Sequence, residues 1–201
     1  MNRRNVLVVA ILGFSLMQSR QQPALEGIQL RSRLPIYGTM VGFELFLFAY
    51  VWLLGLRLTR TPLRDIIGGR WPNAAAVIRD VLAAFVFWIV VAVVLVVMGK
   101  VLGVNNTGLE AVGALLPQGP LEIAAWIALC VTAGFCEELV FRGYLQRQFS
   151  ALIGRVDRSI ALQAIVFGIG HMYQGFKGVI TIAVYGALFG ILAIPCKHSS
   201  L

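Results

Sequence analysis

Residues 134–148, GFCEELVFRGYLQRQ, place two adjacent glutamates and an arginine within an apolar chain. Hydrophobic residues make up 59% of the 201 residues, whereas Asp, Glu, Lys and Arg together make up only 13%. Soluble domains carry about twice that share of charge. Apolar windows of roughly twenty residues, long enough to cross a bilayer, recur along the chain. The composition therefore predicts an all-α polytopic membrane protein.

Six apolar segments are predicted, and they indicate a bundle of about six transmembrane helices. The first is short for a span, and its basic start resembles a signal peptide that lacks a cleavage site, which favours a retained helix. The segments are approximately Asn5–Met17, Ile36–Leu56, Val81–Leu102, Leu121–Phe141, Ser159–Tyr173 and Val179–Ile194.

The arginines between these segments predict the topology. The formal charge of +8 is concentrated at the amino terminus and in the loops at 57–80 and 147–158, whereas the loop at 103–120 is almost uncharged. Under the positive-inside rule, we expect the amino terminus and both basic loops to lie in the cytoplasm and the protein to reside in the cell membrane. The arginines are not interleaved with aromatic residues, so we expect no nucleic-acid partner.

Six ionisable residues in the apolar segments and in the polar extension of the fourth segment are candidates for pairing or function, because an unpaired charge facing lipid is costly. Glu122 follows Pro120 in a first helical turn, where a carboxylate complements the helix dipole. Glu44 is expected to hydrogen-bond a neighbouring helix. The remaining ionisable residues form a closer group, and they are Glu137, Glu138, Arg142 and His171.

The spacing of the two glutamates gives them different surroundings. Glu138 and Arg142 are four residues apart and can pair on one helix face, while Glu137 points about 100° away. A purely structural interpretation makes both glutamates helix-end residues that pair with Arg142 and Arg147. Spacing alone leaves the structural and the functional interpretations open.

A predicted helical hairpin brings His171 to the depth of the glutamates. The stretch GRVDR, residues 154–158, predicts a turn, and Glu138 precedes the junction of Gly154 and Arg155 by about as many residues as His171 follows it. At about 1.5 Å per residue, both lie on the order of 24 Å from the turn. A lone histidine is more often a packing residue, but this coincidence favours a site. Imidazole and carboxylates suit water activation, with or without a metal, and equally a proton path.

The two motifs resemble those of the CAAX protease and bacteriocin-processing (CPBP or Abi) family of intramembrane metalloproteases. The family motif EExxxR corresponds to Glu137, Glu138 and Arg142, and the motif FxxxH corresponds to Phe167 and His171. The stretch YGALFGILA at 185–193 is also similar to family sequences. The resemblance covers roughly 121–193, with weaker similarity back to residue 60.

The resemblance implies a fold like the CAAX prenyl protease type II core. Residues 1–104 would form amino-terminal membrane helices with a basic cytoplasmic loop at 57–80, and residues 121–201 would form the catalytic core. The implied function is a metal-dependent endopeptidase that cleaves peptides or membrane-associated proteins in the bilayer. Its implied cofactor is a divalent metal, with zinc expected.

The same resemblance assigns roles to the motif residues. Glu137 would activate the attacking water, and Glu138 would assist. His171 and Glu137 would bind the metal. Arg142 would support the helix by pairing with Glu138, and Phe167 would pack the wall of the site.

The chain departs from the family pattern at its end. Family members usually continue into a further helix that carries a histidine and an asparagine four residues later, whereas this chain closes with AIPCKHSSL. His198 follows Ala193 too closely for such a helix, so we expect a truncated core that lacks the usual last helix. The alternative function is an inactive relative, a scaffold or immunity-type membrane protein. A small transporter is a more distant alternative, because no inverted repeat is visible.

Overall fold

The computed structural model of the protein describes residues 3–25, 32–67, 71–103, 113 and 115–194. Every regular element in these ranges is a helix, so the predicted all-α class is confirmed. The helices are α1 (Arg3–Leu25), α2 (Leu34–Tyr50) with a π-helical continuation (Val51–Arg57), α3 (Arg64–Ile67), α4 (Ala74–Val101), α5 (Pro120–Glu137) with a second π-helical segment (Glu138–Leu145), α6 (Gln146–Ile153), α7 (Val156–Gly170), a 3₁₀ turn (Met172–Gln174) and α8 (Gly175–Leu192).

Within the described residues, four helical stretches are long and apolar enough to cross a membrane. They are Leu34–Arg57, Ala74–Val101, Pro120–Ile153 and Met172–Leu192. The chain is thus a multi-pass membrane protein. The third predicted segment begins earlier than expected, because Asn73 caps α4 by accepting a hydrogen bond from the Ala76 backbone N–H at 2.9 Å.

The other two predicted segments form helices that do not qualify as spans. Helix α7 has 15 residues and a length of about 22 Å, which is shorter than the hydrocarbon core of a bilayer. Helix α1 has 23 residues, but its ends carry arginines and glutamines that lower its hydrophobicity. Each of the six predicted segments thus contains a helix, whereas four of them are candidate spans within the described residues, fewer than the six predicted.

The predicted hairpin around Gly154 is present. Helix α6 ends at Ile153, and Gly154 adopts the left-handed conformation with φ of 69° that terminates helices readily in glycine. Arg155 is extended and donates two hydrogen bonds to Asp157, at 3.1 and 2.8 Å. These bonds lower the pKa of the Asp157 carboxyl below its usual value. Helix α7 then returns along α6.

A second hairpin packs α7 tightly against α8. A Cβ atom at Gly168 would lie 2.6 Å from the Val179 carbonyl oxygen and 2.8 Å from the Ala183 Cβ. A Cβ atom at Gly186 would lie 2.9 Å from the Phe167 ring. Glycine is therefore required for this approach of the two backbones. This close contact with α8 helps to fix the position of the carboxyl end of α7.

The buried core surrounds the second π-helical segment, and α4 lies at the periphery. Most large apolar side chains of α4 point outward, as expected for a lipid-facing helix. The buried apolar cluster draws on α1, α2 and its π-helical continuation, the second π-helical segment, α6 and α7, and comprises Leu7, Ile11, Leu47, Val51, Leu56, Leu139, Val140, Phe141, Tyr144, Leu145, Phe149 and Phe167.

Candidate active site

The structure brings Glu137 and His171 face to face, as the hairpin argument predicts. Glu137 is the last residue of α5, and His171 directly follows α7. Their atoms Oε1 and Nε2 lie 3.6 Å apart. Both side chains are mostly buried, with exposed fractions of 23% for Glu137 and 20% for His171. The separation is too long for a direct hydrogen bond and short enough for one bound atom to contact both groups.

The His171 ring is oriented by its other nitrogen. Nδ1 lies 2.9 Å from the Phe167 backbone oxygen, one helical turn earlier. A carbonyl oxygen can only accept, so Nδ1 carries the proton of this hydrogen bond. In the neutral ring, the lone pair of Nε2 then faces Glu137. The imidazole is therefore positioned to accept a hydrogen bond or to bind a ligand beside the carboxylate.

The backbone around His171 is irregular and is held by hydrogen bonds to a residue that is distant in sequence. His171 leaves the α-helical conformation, with φ of −106° and ψ of 25°, in a region sparsely populated and frequent in active sites. Ser15 on α1 is fully buried. Its Oγ donates to the Ile169 carbonyl at 2.6 Å and accepts from the Met172 N–H at 3.3 Å. Ser15 was not predicted, since nothing in its local sequence distinguishes it from other helical serines.

Glu138 and Arg142 form the predicted pair, with 3.2 Å between Oε1 and Nη1. The Arg142 Nη2 donates to the Gly186 carbonyl oxygen of α8 at 3.3 Å. Its guanidinium carbon lies 4.6 Å from the centre of the Phe167 ring and 5.4 Å from that of Phe189, within cation–π range. Arg142 thus links the glutamate segment to α8.

Arg147 does not take part in this pairing. Its guanidinium donates to the Asp65 backbone oxygen at 3.1 Å. The structural interpretation that pairs the glutamates with both Arg142 and Arg147 is therefore only half realised. Among the described residues, Glu137 forms an ion pair with neither arginine and faces His171.

Phe167 lies at the wall of the site and is 2% exposed. Its ring meets those of Phe141 and His171 edge to face, each at 4.8 Å between centroids. Such edge-to-face contacts are favourable arrangements of aromatic pairs. Phe167 therefore fixes the His171 ring through both its backbone carbonyl and its side chain.

The structure adds a carboxylate that the sequence did not group with the motifs. Glu44 on α2 interacts electrostatically with Glu137, and both interact with Tyr173. The Glu44 Oε2 atom is buried and has no hydrogen-bond partner among the described residues. Glu44 is thus a neighbour of the site. Its Oε2 atom does not form the hydrogen bond to a neighbouring helix that the sequence predicted for this side chain. Predicting this position requires knowledge of which helices pack together.

Glu122 lies away from this site and is satisfied by its surroundings. Its carboxylate accepts hydrogen bonds from the backbone N–H groups of Arg33, at 2.8 Å, and Gln118, at 2.9 Å. The Arg33 guanidinium is 3.7 Å away. The structure gives Glu122 a structural role at the amino end of α5, in keeping with the predicted dipole interaction.

The described residues do not form a complete protein site for a metal. No group of three or more His, Cys, Asp or Glu side chains in the described ranges is close enough to hold an ion. Catalytic zinc sites use three protein ligands, and the pair of Glu137 and His171 falls short of that number. His198 and Cys196 lie outside the described residues. Among the described residues, the chemistry of the site therefore rests on the two facing side chains.

The pair has the groups that general-base hydrolysis requires. A carboxylate can take a proton from water, and a neutral imidazole nitrogen can orient that water by accepting its second hydrogen. Glu137 ends α5 and His171 directly follows α7, and packing of these helices favours a constant geometry. The arrangement can therefore hold one water molecule against a carboxylate base in a largely buried position.

Comparison with known proteins places the carboxyl-terminal part of the chain. The family model described as type II CAAX prenyl endopeptidase Rce1-like matches residues 119–199, a range that contains Glu137, Glu138, Arg142, Phe167 and His171. No curated protein and no solved structure matches the chain. The resemblance predicted from the two motifs is thereby confirmed, because residues 119–199 are similar to a type II CAAX prenyl endopeptidase family model, which is consistent with a member of the CPBP family.

Proposed function

We propose that the protein is an intramembrane endopeptidase in which Glu137 activates a water molecule oriented by His171. The observation that carries this proposal is the 3.6 Å approach of Glu137 Oε1 to His171 Nε2, with the imidazole fixed at Nδ1 by the Phe167 carbonyl. The match of residues 119–199 to a protease family supports the reaction class.

The proposed reaction is a general-base hydrolysis. Water lies between the two side chains, and the Glu137 carboxylate removes one of its protons as the oxygen attacks the carbonyl carbon of a peptide bond. His171 Nε2 accepts a hydrogen bond from the other water hydrogen and fixes the direction of attack. Glu137 then gives its proton to the amide nitrogen, the C–N bond breaks, and an acid and an amine leave. Each cycle consumes one water molecule.

Glu138 and Arg142 support this geometry in the proposed scheme. Arg142 connects the segment that begins at Glu138 to the Gly186 carbonyl of α8 and stacks on Phe167. Because Phe167 in turn holds His171, the guanidinium positions the catalytic pair from the opposite side. Glu138 supplies the counter-charge that a buried arginine needs.

The proposed substrate is a peptide segment that reaches the site from the bilayer. The name of the matching family points to carboxyl-terminal segments of prenylated proteins. Glu138, with 44% of its side chain accessible, is more exposed than Glu137 and His171. A prenylated CAAX peptide is therefore the first substrate to test, with an unprenylated peptide of the same sequence and an unrelated membrane peptide beside it.

The test uses the purified full chain in proteoliposomes. The wild type should cleave the prenylated peptide, and Glu137→Gln and His171→Gln should each lose at least about a hundredfold in kcat, the scale of general-base catalysis. The matched control is Asp157→Asn, whose carboxylate is exposed in the turn at 154–158. Full activity of Glu137→Gln, with the thermal midpoint unchanged, would refute the proposed base.

Treatment with a chelator tests whether activity needs the metal expected from the family resemblance. The two-residue scheme requires no cation, so activity should survive prolonged treatment with a zinc chelator. Loss of activity that returns with zinc would show that further ligands complete the pair of Glu137 and His171. That outcome would replace the two-residue scheme by a metal-dependent one.

The second candidate is an inactive family relative that binds partner helices as a scaffold. This candidate is favoured because the described residues provide only one histidine for the site. A wild-type chain that is folded and stable but cleaves none of the three peptides would support this candidate. Under this outcome, Glu137→Gln should change neither binding nor stability beyond a local effect.

A further inference from the structure

Three buried polar side chains converge on the backbone of α8, next to the candidate active site. The Gln146 Nε2 donates to the Gly190 carbonyl at 2.9 Å, and the Gln163 Nε2 donates to the Gly186 carbonyl at 2.8 Å. The Arg142 Nη2 donates to the same Gly186 carbonyl at 3.3 Å. The exposed fractions are 5% for Arg142, 6% for Gln146 and 0% for Gln163. Arg142, Gln146 and Gln163 are called the polar cluster below.

The polar cluster contains donors and acceptors without protein partners. The Arg142 Nε, the Gln146 Oε1 and the Gln163 Oε1 are buried and have no hydrogen bond to any described residue. The Arg142 Nη1 faces Glu138 Oε1 at 3.2 Å but lacks hydrogen-bond geometry. Buried polar atoms of this kind are rare in folded proteins, because each forfeits the hydrogen bond that it made with water.

Rotating the glutamine amides does not relieve these atoms. Each amide nitrogen already donates to a backbone carbonyl, and exchanging oxygen for nitrogen would place two acceptors against each other. The two amides are also neighbours across Gly190, since a Cβ atom there would lie 2.6 Å from Gln163 Nε2 and 3.0 Å from Gln146 Oε1. Each amide is therefore fixed by its own hydrogen bond, and the Gln146 oxygen and the Gln163 amide nitrogen lie beside the same glycine.

The charge of the polar cluster selects the class of ligand. The Arg142 guanidinium is balanced by the Glu138 carboxylate, and both amides are neutral. An added ion would upset this balance in a region of low dielectric constant. A suitable ligand must accept one hydrogen bond from Arg142 Nε–H and donate to amide oxygens. Water fits this description, and internal waters commonly satisfy two to four such groups.

We propose that the polar cluster binds internal water and that this water replenishes the molecule consumed at Glu137. The bound water accepts from Arg142 Nε–H and donates to the Gln146 or Gln163 oxygen. Arg142 is itself in contact with Glu138, the immediate neighbour of Glu137. A hydrolase surrounded by lipid needs such a reserve, since each turnover removes one water from a largely buried site. The supply role rests on the proposed function, whereas the binding of water does not.

The first test is an experimental structure of the wild-type chain at a resolution that shows ordered water. Density is expected within hydrogen-bond distance of Arg142 Nε and of at least one of the two amide oxygens. In Gln163→Met this density should weaken or disappear, because the variant removes one acceptor while keeping a similar length. A map in which all these atoms pair with protein groups, with no water among them, would overturn the proposal.

The second test separates supply from binding. Gln146→Met and Gln163→Met should each lower kcat by about tenfold and leave KM unchanged. The control is Gln148→Met, since Gln148 is an exposed glutamine two residues along the same helix and should retain the wild-type kcat. Ordered water combined with unchanged kcat in both cluster variants would reject the supply role. A wild type that holds the water but cleaves no peptide would reject the proposed function and leave the water site standing.

Discussion

Glu138 and Arg142 form an ion pair whose two members differ in burial. The exposed fraction of the side chain is 44% for Glu138 and 3% for Arg142, and the charged atoms are 3.2 Å apart. Removing the carboxylate leaves a buried cation without its counter-charge, whereas removing the guanidinium leaves a carboxylate that still reaches the surface. The pair is therefore a buried interaction for the arginine and a peripheral one for the glutamate.

A double-mutant cycle should show strong coupling between these residues. Glu138→Gln and Arg142→Met should together destabilise the fold by about 1–3 kcal/mol less than the sum of the two single changes, as for residues in one buried network. The measurement is the free energy of reversible unfolding in mixed micelles. The matched control is the cycle of Arg155 and Asp157, an exposed pair at 2.8 Å, whose coupling should stay below about 1 kcal/mol. Equal coupling in both cycles would contradict the burial argument.

Gly168→Ala should destabilise the hairpin of α7 and α8. The added Cβ would meet the Val179 carbonyl oxygen at 2.6 Å and the Ala183 backbone nitrogen at 3.1 Å, and backbone atoms cannot move aside as side chains can. We expect the thermal midpoint in detergent to fall by several degrees. Gly134→Ala is the control, because nothing lies within 4 Å of its added Cβ and alanine favours a helix. A midpoint that is unchanged in Gly168→Ala would show that the two helices can separate without cost.

Ser15→Ala should affect catalysis from a distance. The variant removes the bonds to the Ile169 carbonyl and the Met172 N–H, which flank His171. We expect a loss of stability of about 1 kcal/mol, the usual worth of a hydrogen bond, together with a lower kcat in the peptide assay. Ser19→Ala serves as the control, because the Ser19 hydroxyl is exposed and bonds only the Leu16 carbonyl of its own helix. Equal effects of the two variants on stability and kcat would show that Ser15 does not support the site.

Glu44→Met should raise the thermal midpoint. A buried carboxylate oxygen without a hydrogen-bond partner, next to a second carboxylate at Glu137, costs free energy that an apolar side chain of similar length avoids. Glu122→Met provides the opposite case, since its carboxylate accepts two backbone hydrogen bonds and the variant should lower the midpoint. A fall in Glu44→Met would mean that this carboxylate has a stabilising partner in the folded protein.

The approach of Glu137 to His171 could be predicted from sequence because it depends only on one turn and on the rise per residue of a helix. Gly154 ends one helix and Val156 begins the next, so Glu137 and His171 follow from counting along two antiparallel helices. The pairing of Glu138 with Arg142 follows in the same way from a spacing of four. Local chain geometry decides both relationships, and the sequence encodes that geometry directly.

The neighbours contributed by other helices could not be predicted. Ser15 is separated from Ile169 by 154 residues, and Glu44 belongs to a helix whose partner the hydrophobic pattern does not specify. In lipid, an apolar residue is suitable both against another helix and against the bilayer, so hydropathy does not reveal which face is packed. The predicted segment Ser159–Tyr173 has the same length as α7 but lies three residues further along the chain, because the apolar run continues past Gly170, where the helix ends.

The geometry of the site depends on the number of residues in the π-helical segment Glu138–Leu145. A π-helix differs from an α-helix by its i→i+5 hydrogen bonds, so losing one residue from this stretch would allow it to revert to the α form. The part of the helix before the deletion would then turn by about 100° relative to the part after it. Glu137 would swing away from His171 while Arg142 kept its place against α8. Substitutions of its apolar side chains leave the number of residues unchanged, whereas insertions and deletions change the angle between Glu137 and His171. We therefore expect the number of residues between 138 and 145 to tolerate less change than the identity of its apolar residues.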